Sequence, residues 1–296
     1  MRRGVLLRGV SPKTILETVS NERCTIVWLL VPWVQDILLA LEEGTIRLED
    51  YKLDQWRLMH IGAQPVPKSL VRRWLKVFPN QRYDTNYGLS ESCGPGCVHL
   101  GVENVDHVGA IGVPGYQWEC KIVGERGEEV ARGDVGELCV KGPGLMECYY
   151  KDPADTAETL VDGWLHTGDM ARQDEDGFYW LVDRKKDVIV MGGENLYPVQ
   201  IEDFLASNPA IQDVAVIGLP DGRLGEIPAA IVELKPGCED ATEEDINEFC
   251  LALPRYKRPR KVIFADVPRN PTGKIEKPLL RERYGAARLV DQENKA

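Results

Sequence analysis

The sequence contains no apolar run of the length that crosses a lipid bilayer, which is about 20 residues. Its most apolar stretch, residues 27–41, covers 15 positions and includes Pro32, Gln35 and Asp36. The apolar part of the basic N-terminal stretch is short and is interrupted by Arg8, unlike that of a signal peptide. We therefore expect a protein without a membrane span that is located in the cytoplasm.

Positive charge and closely spaced cysteines are also scarce. The 296 residues include 36 Lys and Arg against 47 Asp and Glu, which gives a formal net charge of −11. A negative net charge argues against general binding to nucleic acid, which is a polyanion, although it does not exclude one local phosphate site. The eight cysteines are scattered along the chain, as in proteins that keep reduced thiols rather than a disulfide scaffold.

Regions of different pattern follow one another along the chain. They predict an α/β fold with a β-barrel subdomain, followed by a small α+β domain. Residues 1–105 alternate strand and helix signals, which indicates a mostly parallel sheet. Residues 106–183 combine many glycines with short β-like runs, which favours an antiparallel barrel or small sheets. After a hinge at 184–187, residues 188–285 alternate again, and residues 286–296 form a flexible tail.

The ends of two predicted strands carry residues suited to a nucleotide. They are Gly62-Ala63-Gln64-Pro65 and Asn86-Tyr87-Gly88, with Ser90 and Glu91 just beyond. Glycine lets a flat ligand approach the backbone, Tyr87 can stack on a base, and Ser90 can donate to a phosphate. Glu91 offers the carboxylate oxygen that Mg²⁺ prefers. Taken alone, the same pattern also fits a strand followed by a turn and a polar loop.

Three later stretches present a carboxylate, a glycine pair and a lysine. Asp169 can accept both hydroxyls of a ribose, or it caps its own tight turn. The charged run Asp183-Arg184-Lys185-Lys186-Asp187 lies at the predicted domain boundary, and Gly192-Gly193-Glu194 after it also has the pattern of a hairpin turn. Lys274 can bring positive charge to a developing anion, or it is solvated and idle.

In this order and spacing, these stretches resemble the motifs of the adenylate-forming superfamily. The runs Gly-Gly-Glu-Asn-Leu-Tyr-Pro, residues 192–198, and Pro-Thr-Gly-Lys-Ile, residues 271–275, resemble its acyl-CoA synthetase branch, and Tyr149-Tyr150 resembles a further motif. The resemblance implies a ligase for a small carboxylic acid that uses ATP, Mg²⁺ and coenzyme A. The acid would first form an acyl-adenylate and pyrophosphate, and the CoA thiol would then displace AMP.

The resemblance also implies a role for each matched residue. Glu91 would hold Mg²⁺, Lys186 would be the hinge, and Lys274 would be the catalytic lysine of adenylation. The glycine-rich stretch at Gly192, Gly193 and Glu194 would line the path of CoA. The nucleotide would contact Gly62, Ala63, Gln64, Pro65, Asn86, Tyr87, Gly88, Ser90, Asp169 and Arg184.

One part of the family pattern has no match. Relatives carry a Ser/Thr/Gly-rich phosphate loop upstream of the stretch that resembles Gly62-Ala63, and residues 1–61 contain nothing similar. We therefore expect a partial large domain with an exposed sheet edge, which favours self-association or a complementing chain. Three hypotheses follow: an acid:CoA ligase, a non-catalytic fragment that binds nucleotide or CoA, and a chain that retains only acyl transfer from an acyl-adenylate.

Cys93, Cys97 and His99 hint at a zinc site through their spacing. A structural zinc site needs a second pair of ligands at suitable spacing, which the sequence lacks. We therefore expect no zinc at these three residues, and the loop instead follows Glu91, where relatives shape the acyl pocket.

Overall fold

The computed structural model describes residues 3–62, 66–270 and 273–285. The chain divides into two compact units, which are described separately below. Unit 1 comprises Met1–Thr167 and Ala171–Leu181, and unit 2 comprises Gly168–Met170 and Val182–Ala296. The predicted α/β fold class is confirmed. The predicted domain bounds and the hinge at 184–187 stay predictions.

The first sheet of unit 1 has the strand order β1-β2-β3-β4-β5. The first three strands are parallel, as predicted, whereas β4 is antiparallel to β3 and β5 is antiparallel to β4. The carboxyl ends of β2 and β3 therefore lie side by side, where ligands bind in parallel sheets. The strands are β1 (Ile26–Leu30), β2 (Leu58–Gly62), β3 (Arg82–Leu89), β4 (Gly94–His99) and β5 (Val113–Pro114).

Three helices cover this sheet: α1 (Pro12–Asn21), α2 (Val31–Glu42) and α3 (Lys68–Val77). Helix α1 begins as predicted, because the Ser11 side chain accepts a hydrogen bond from the backbone N–H of Thr14 and proline occupies the first helical position. Trp56 and Trp74 are fully buried in the shared core. Truncation of such a side chain to alanine costs about 3–5 kcal/mol.

Strand β1 lies at the end of the sheet order, so within the described residues it is an edge strand. Two of its apolar side chains are half exposed, Ile26 at 48% and Trp28 at 49%. An edge strand with exposed apolar side chains is a template for pairing with another strand. The exposed edge that the sequence predicts is therefore present at β1.

The second sheet, most of whose residues belong to unit 1, is open, with the order β10-β9-β7-β6 and β8 paired to β9. The expected barrel is not closed within the described residues, because its end strands β6 and β10 are not paired through backbone hydrogen bonds. A side chain joins them instead: Tyr179 on β10 donates its hydroxyl hydrogen to the Cys120 carbonyl on β6. The elements are β6 (Glu119–Val123), β7 (Val135–Lys141), α4 (Pro153–Thr159), β8 (Leu160–Val161), β9 (Trp164–Gln173) and β10 (Tyr179–Arg184).

Unit 2 is built on a sheet with the order β12-β11-β14-β13, in which β15 pairs in parallel with β14. Helix α6 begins at the predicted cap, where Thr242 and Asp245 form a reciprocal capping box. The elements are β11 (Ile189–Met191), β12 (Glu194–Leu196), α5 (Pro198–Leu205), β13 (Ile211–Asp221), β14 (Gly225–Leu234), α6 (Glu243–Phe249), β15 (Lys261–Phe264) and α7 (Lys277–Gly285). In neither unit do the described residues form a helix with the length and apolarity of a membrane span.

Candidate functional site

The carboxyl ends of β2 and β3 bring two predicted nucleotide contacts together in unit 1. A Cβ atom on Gly62 would lie 3.5 Å from Asn86 Oδ1, which is ordinary contact. A Cβ atom on Gly88 would lie 2.3 Å from the Gly94 carbonyl oxygen, so glycine is required where β3 meets β4. Ala63, Gln64 and Pro65 lie outside the described residues.

Tyr87 is more deeply buried than a residue that stacks on a base would need to be. Its side chain is only 7% exposed and packs in a core cluster with Val98 and Leu138. Its backbone carbonyl accepts a hydrogen bond from Cys97 Sγ at 3.0 Å. Only a small part of the Tyr87 ring is open to a base in this unit.

The turn after β3 presents Ser90 and Glu91. Ser92, which the sequence analysis missed, fixes this turn because its hydroxyl accepts from the Leu89 N–H at 2.9 Å and donates to carbonyl oxygens. Ser90 itself is exposed. The turn therefore holds Ser90 at the surface beyond the end of β3, as a phosphate contact requires.

Glu91 is fixed by the loop that precedes α4. Tyr149 donates its hydroxyl hydrogen to Glu91 Oε1 at 2.8 Å, and the Glu91 carbonyl accepts from the Met146 N–H at 2.7 Å. Burial and the hydrogen bond to Glu91 raise the pKa of Tyr149, so its hydroxyl stays a donor. The hydrogen bond from Tyr149 occupies one carboxylate oxygen of Glu91. The second oxygen of Glu91 is the type of ligand that Mg²⁺ binds.

In unit 2, the structure brings together the two residues predicted to bind ribose. Arg184 Nε donates to Asp169 Oδ1 at 3.0 Å. Asp169 is only 6% exposed, and a buried carboxylate needs such a charged partner. The Arg184 side chain is 49% exposed, so its planar fork of donors reaches solvent.

The charged run after Asp169 is anchored at both ends within unit 2. Asp183 accepts hydrogen bonds from the backbone N–H groups of Arg184 and Val199, and burial raises the pKa of Asp183. Asp187 accepts from Arg281 on α7 at 2.6 Å. Lys186, the predicted hinge residue, is exposed in the short turn between these two anchors.

Gly192 and Gly193 form the two-residue turn between β11 and β12. Their φ angles are +61° and +88°, a left-handed conformation that glycine adopts without strain. The hairpin-turn interpretation is therefore confirmed. A Cβ atom on Gly193 would meet nothing within 4 Å, and Glu194 beside it is exposed. The predicted CoA contact stays a prediction.

Lys274 is exposed, and hydrogen bonds within unit 2 hold the loop that carries it. Its N–H donates to Asn270 Oδ1 at 2.9 Å, and Arg269 reaches the Gly273 carbonyl at 2.5 Å. Arg269 is in turn held by two hydrogen bonds to Asp213, of 2.6 and 2.8 Å. These contacts, which the sequence analysis missed, fix the backbone that carries Lys274. Pro271 and Thr272 lie outside the described residues.

The structure groups His99 with His60 and Asp84 as possible metal ligands, and not with the two cysteines that precede it in the sequence. Cys97 is buried, its Sγ donates to the Tyr87 carbonyl, and burial raises the pKa of its thiol to about 11. His99 instead contacts Asp84, which also contacts His60. No local sequence pattern identifies this cluster, because its members come from three different strands. The one sequence signal is that His60 interrupts the otherwise apolar strand β2.

Comparison with known families gives two matches along the chain. The profile of the AMP-binding enzyme family matches residues 3–150, and the profile of the AMP-binding enzyme C-terminal domain matches residues 200–274. A feruloyl-CoA synthase from Amycolatopsis sp. is 36% identical over 283 residues, which cover 95% of this chain and 56% of that protein. The chain thus spans about half the length of the curated relatives it matches.

Solved structures give the same result. ATP-bound MatB from Rhodopseudomonas palustris has a TM-score of 0.83 and 28% identity, covering 95% of this chain and 54% of that chain. The o-succinylbenzoate CoA synthetase MenE from Bacillus subtilis, in complex with its acyl-adenylate intermediate, has a TM-score of 0.80 and 28% identity. That match covers 92% of this chain and 54% of MenE.

Proposed function

Because the chain belongs to the AMP-binding enzyme family, we propose that it is part of an ATP-dependent acid:CoA ligase. The observation that carries the proposal is the contact between Asp169 and Arg184, the two residues assigned to the ribose. A buried carboxylate with an exposed guanidinium beside it offers an acceptor for ribose hydroxyls and a donor for other nucleotide oxygens. Similarity to a feruloyl-CoA synthase and to an o-succinylbenzoate CoA synthetase supports the same reaction class.

The proposed reaction has two steps, and the acyl group that is activated in the first step is transferred in the second. A carboxylate oxygen of the acid forms a bond to the α-phosphorus of ATP, and the bond from that phosphorus to the bridging oxygen breaks, which releases pyrophosphate. The deprotonated CoA sulfur then forms a bond to the acyl carbon. The bond from that carbon to the phosphate oxygen breaks, and AMP leaves with the electron pair.

The first step brings an anionic acid to an anionic polyphosphate, so positive charge is needed. Lys274 supplies it in the proposal, from a loop whose backbone Arg269 and Asn270 hold in place. Glu91, oriented by Tyr149, fits a magnesium ligand because Mg²⁺ uses one or two carboxylates together with substrate phosphates. Bound Mg²⁺ would offset phosphate charge.

The second step needs room for the narrow pantetheine arm of CoA. Gly192 and Gly193 present no side chain, and Gly193 faces open space within unit 2. We assign this turn to the CoA path and Lys186 to the hinge. Movement at the hinge would present Lys274 in the first step and the glycine turn in the second. The small carboxylic acid substrate stays unassigned, because the relatives act on different acids.

We further propose that the chain requires a complementing segment or a second chain for the first step. The half-exposed Ile26 and Trp28 on edge strand β1 support this, because an additional strand would cover them. The alternatives are a non-catalytic fragment that binds nucleotide or CoA, and a chain that keeps only acyl transfer. A cytoplasmic location is supported by the eight cysteines, all of which are free thiols.

The test is carboxylate-dependent exchange of labelled pyrophosphate into ATP, measured on the purified chain with short, medium, branched, cyclic and aromatic acids. Exchange with any acid establishes adenylation and identifies the acid class. A folded chain that does not exchange but converts synthetic acyl-AMP and CoA to thioester retains the second half-reaction. A folded chain that only binds AMP or CoA is the non-catalytic fragment.

Lys274→Ala should suppress exchange far more than thioester formation from ready-made acyl-AMP. Lys261→Ala is the matched control, because Lys261 is another exposed lysine of unit 2 without an assigned role. Equal loss of both half-reactions in Lys274→Ala contradicts the division of labour between the loop and the glycine turn.

A further inference from the structure

The register of the first sheet gathers four polar side chains on one face. His60 on β2 is paired with Asp84 on β3, and Asn86 on β3 is paired with His99 on β4. Paired residues point to the same face of a sheet, and so do residues two apart on one strand. The face therefore carries two imidazoles, a carboxylate and an amide on three adjacent strands.

Asp84 is oriented by the backbone so that one oxygen meets both imidazoles. Its Oδ1 accepts the N–H groups of Thr85 and Gly101 at 2.8 and 2.9 Å. Its Oδ2 lies 3.4 Å from His60 Nδ1 and 3.1 Å from His99 Nε2. One ligand atom from each of His60, Asp84 and His99 lies within 4.8 Å of the others.

The hydrogen bonding of His60 is compatible with a cation at this point. His60 Nε2 lies 2.8 Å from Asn86 Oδ1. In the neutral tautomer that donates from Nε2 to this oxygen, Nδ1 carries a lone pair directed at Asp84 Oδ2. Two acceptors that face each other require a proton or a cation between them.

We propose that His60, Asp84 and His99 bind a divalent transition-metal ion, for which Zn²⁺ is the best match. Three protein ligands of the imidazole and carboxylate type, with a fourth position left for water, are typical of open zinc sites. Asn86 would act behind the ligands by fixing the His60 ring. This inference does not rest on the proposed ligase function, and its site is distinct from the magnesium ligand assigned to Glu91.

Access from solvent favours reversible loading of the ion. The exposed side-chain fraction is 7% for Asp84, 17% for His60 and 42% for His99. The carboxylate is thus desolvated, which strengthens its attraction for a cation, whereas His99 remains reachable from outside. An ion would enter past His99 and lie between the two imidazoles and Asp84 Oδ2.

The experiment uses the full chain without a polyhistidine tag, stripped with chelator, in the absence of nucleotide. Cys93 and Cys148, the two exposed cysteines, are replaced by serine so that thiols do not bind metal. Calorimetric titration with Zn²⁺ should give one site per chain. His99→Gln should weaken binding about 10-fold or more, and His107→Gln should not.

His107 is the matched control because it also contacts a carboxylate, that of Asp176, but belongs to no group of three possible metal ligands in the described residues. Co²⁺ loading should give a spectrum without thiolate charge-transfer bands. In histidine-labelled wild-type protein, Zn²⁺ should shift two of the four imidazole NMR signals, a readout that needs no folded variant. No binding, thiolate bands, or equal weakening by His107→Gln would each overturn the proposal.

Discussion

Tyr149 donates its hydroxyl hydrogen to Glu91 Oε1 at 2.8 Å, across 58 residues of chain. The contact joins the turn after β3 to the loop before α4 within unit 1, and a backbone bond from Met146 to the Glu91 carbonyl reinforces it. If Glu91 binds Mg²⁺ as proposed, its oxygen must be presented in a fixed direction, and Tyr149 would be the positioning residue for it.

Tyr149→Phe should raise the Mg²⁺ concentration required for half-maximal pyrophosphate exchange by about 10-fold, because outer contacts of this kind contribute 10- to 100-fold to metal binding. The rate of pyrophosphate exchange at saturating Mg²⁺ should change less than the rate at low Mg²⁺. Tyr150→Phe is the control, since the neighbouring tyrosine is 86% exposed. An unchanged Mg²⁺ requirement in Tyr149→Phe would remove the tyrosine from this role.

Asp169→Ala should weaken AMP binding by about 1.5–3 kcal/mol, the value of hydrogen bonds to a charged group. This corresponds to a roughly 10- to 100-fold rise in Kd, measurable by calorimetry. Asp54→Ala is the control, because Asp54 forms a comparable pair with Arg23 in unit 1 and has no assigned role. Equal AMP affinity of Asp169→Ala and wild type would reject the ribose assignment.

Arg269→Ala should slow adenylation roughly tenfold or more, because small misplacement of a catalytic group carries effects of this size. Thioester formation from acyl-AMP should be unaffected, since Arg269 braces the Lys274 loop through Asp213 and the Gly273 carbonyl. Arg23→Ala removes an equivalent two-bond contact with Asp54 in unit 1 and should change neither step. A loss in both steps for Arg269→Ala would indicate general destabilisation instead.

Local signals in the sequence predicted the fold well. Ser11 with Pro12, Asp152 with Pro153, and Thr242 each cap the helix that was expected to start there. Such caps depend on neighbours within four residues, so they can be identified without tertiary structure. The barrel was not predictable in the same way, because closure depends on whether β6 and β10 meet.

The candidate site residues come from separate short stretches, and their roles stay predictions. Asp169 and Arg184 were assigned through a family resemblance, and the structure joins them. The His60–Asp84 contact was missed because it depends on the register between β2 and β3, which no local pattern specifies. The pairing of Tyr149 with Glu91 was missed because it joins two segments 58 residues apart, although each residue lay in a recognised motif.

Lys277 and Glu202 form an ion pair of 2.8 Å in unit 2, with only 9% and 13% of their side chains exposed. Glu202 also accepts the Val216 N–H at 2.7 Å, which ties α5 to β13. Burial raises the pKa of Glu202 above its ordinary value of 4.5, whereas Lys277 acts against this rise. The lysine is therefore needed to keep this buried carboxylate ionised without a large penalty.

Lys277→Met should destabilise unit 2 by about 3–5 kcal/mol at neutral pH, because it leaves a buried charge unpaired. The added change Glu202→Gln, which removes the charge and keeps an acceptor for the Val216 N–H, should restore most of the loss. Since the folded-state pKa of Glu202 is raised, its contribution to stability is largest below pH 4.5 and is lost as the pH rises through the folded pKa. The penalty of Lys277→Met should therefore be smaller at about pH 5 than at about pH 8. Amide hydrogen exchange in β13 and β14 measures it.

Tryptophan fluorescence separates this effect from global unfolding, because all seven tryptophans lie in unit 1. Lys277→Met should accelerate exchange in β13 and β14 while the denaturant midpoint of the fluorescence changes little. Lys13→Met removes an exposed pair with Glu17 and should change stability by no more than about 0.5 kcal/mol. A penalty for Lys277→Met that is equal at both pH values would show that lost packing, and not an unpaired carboxylate, is the cause.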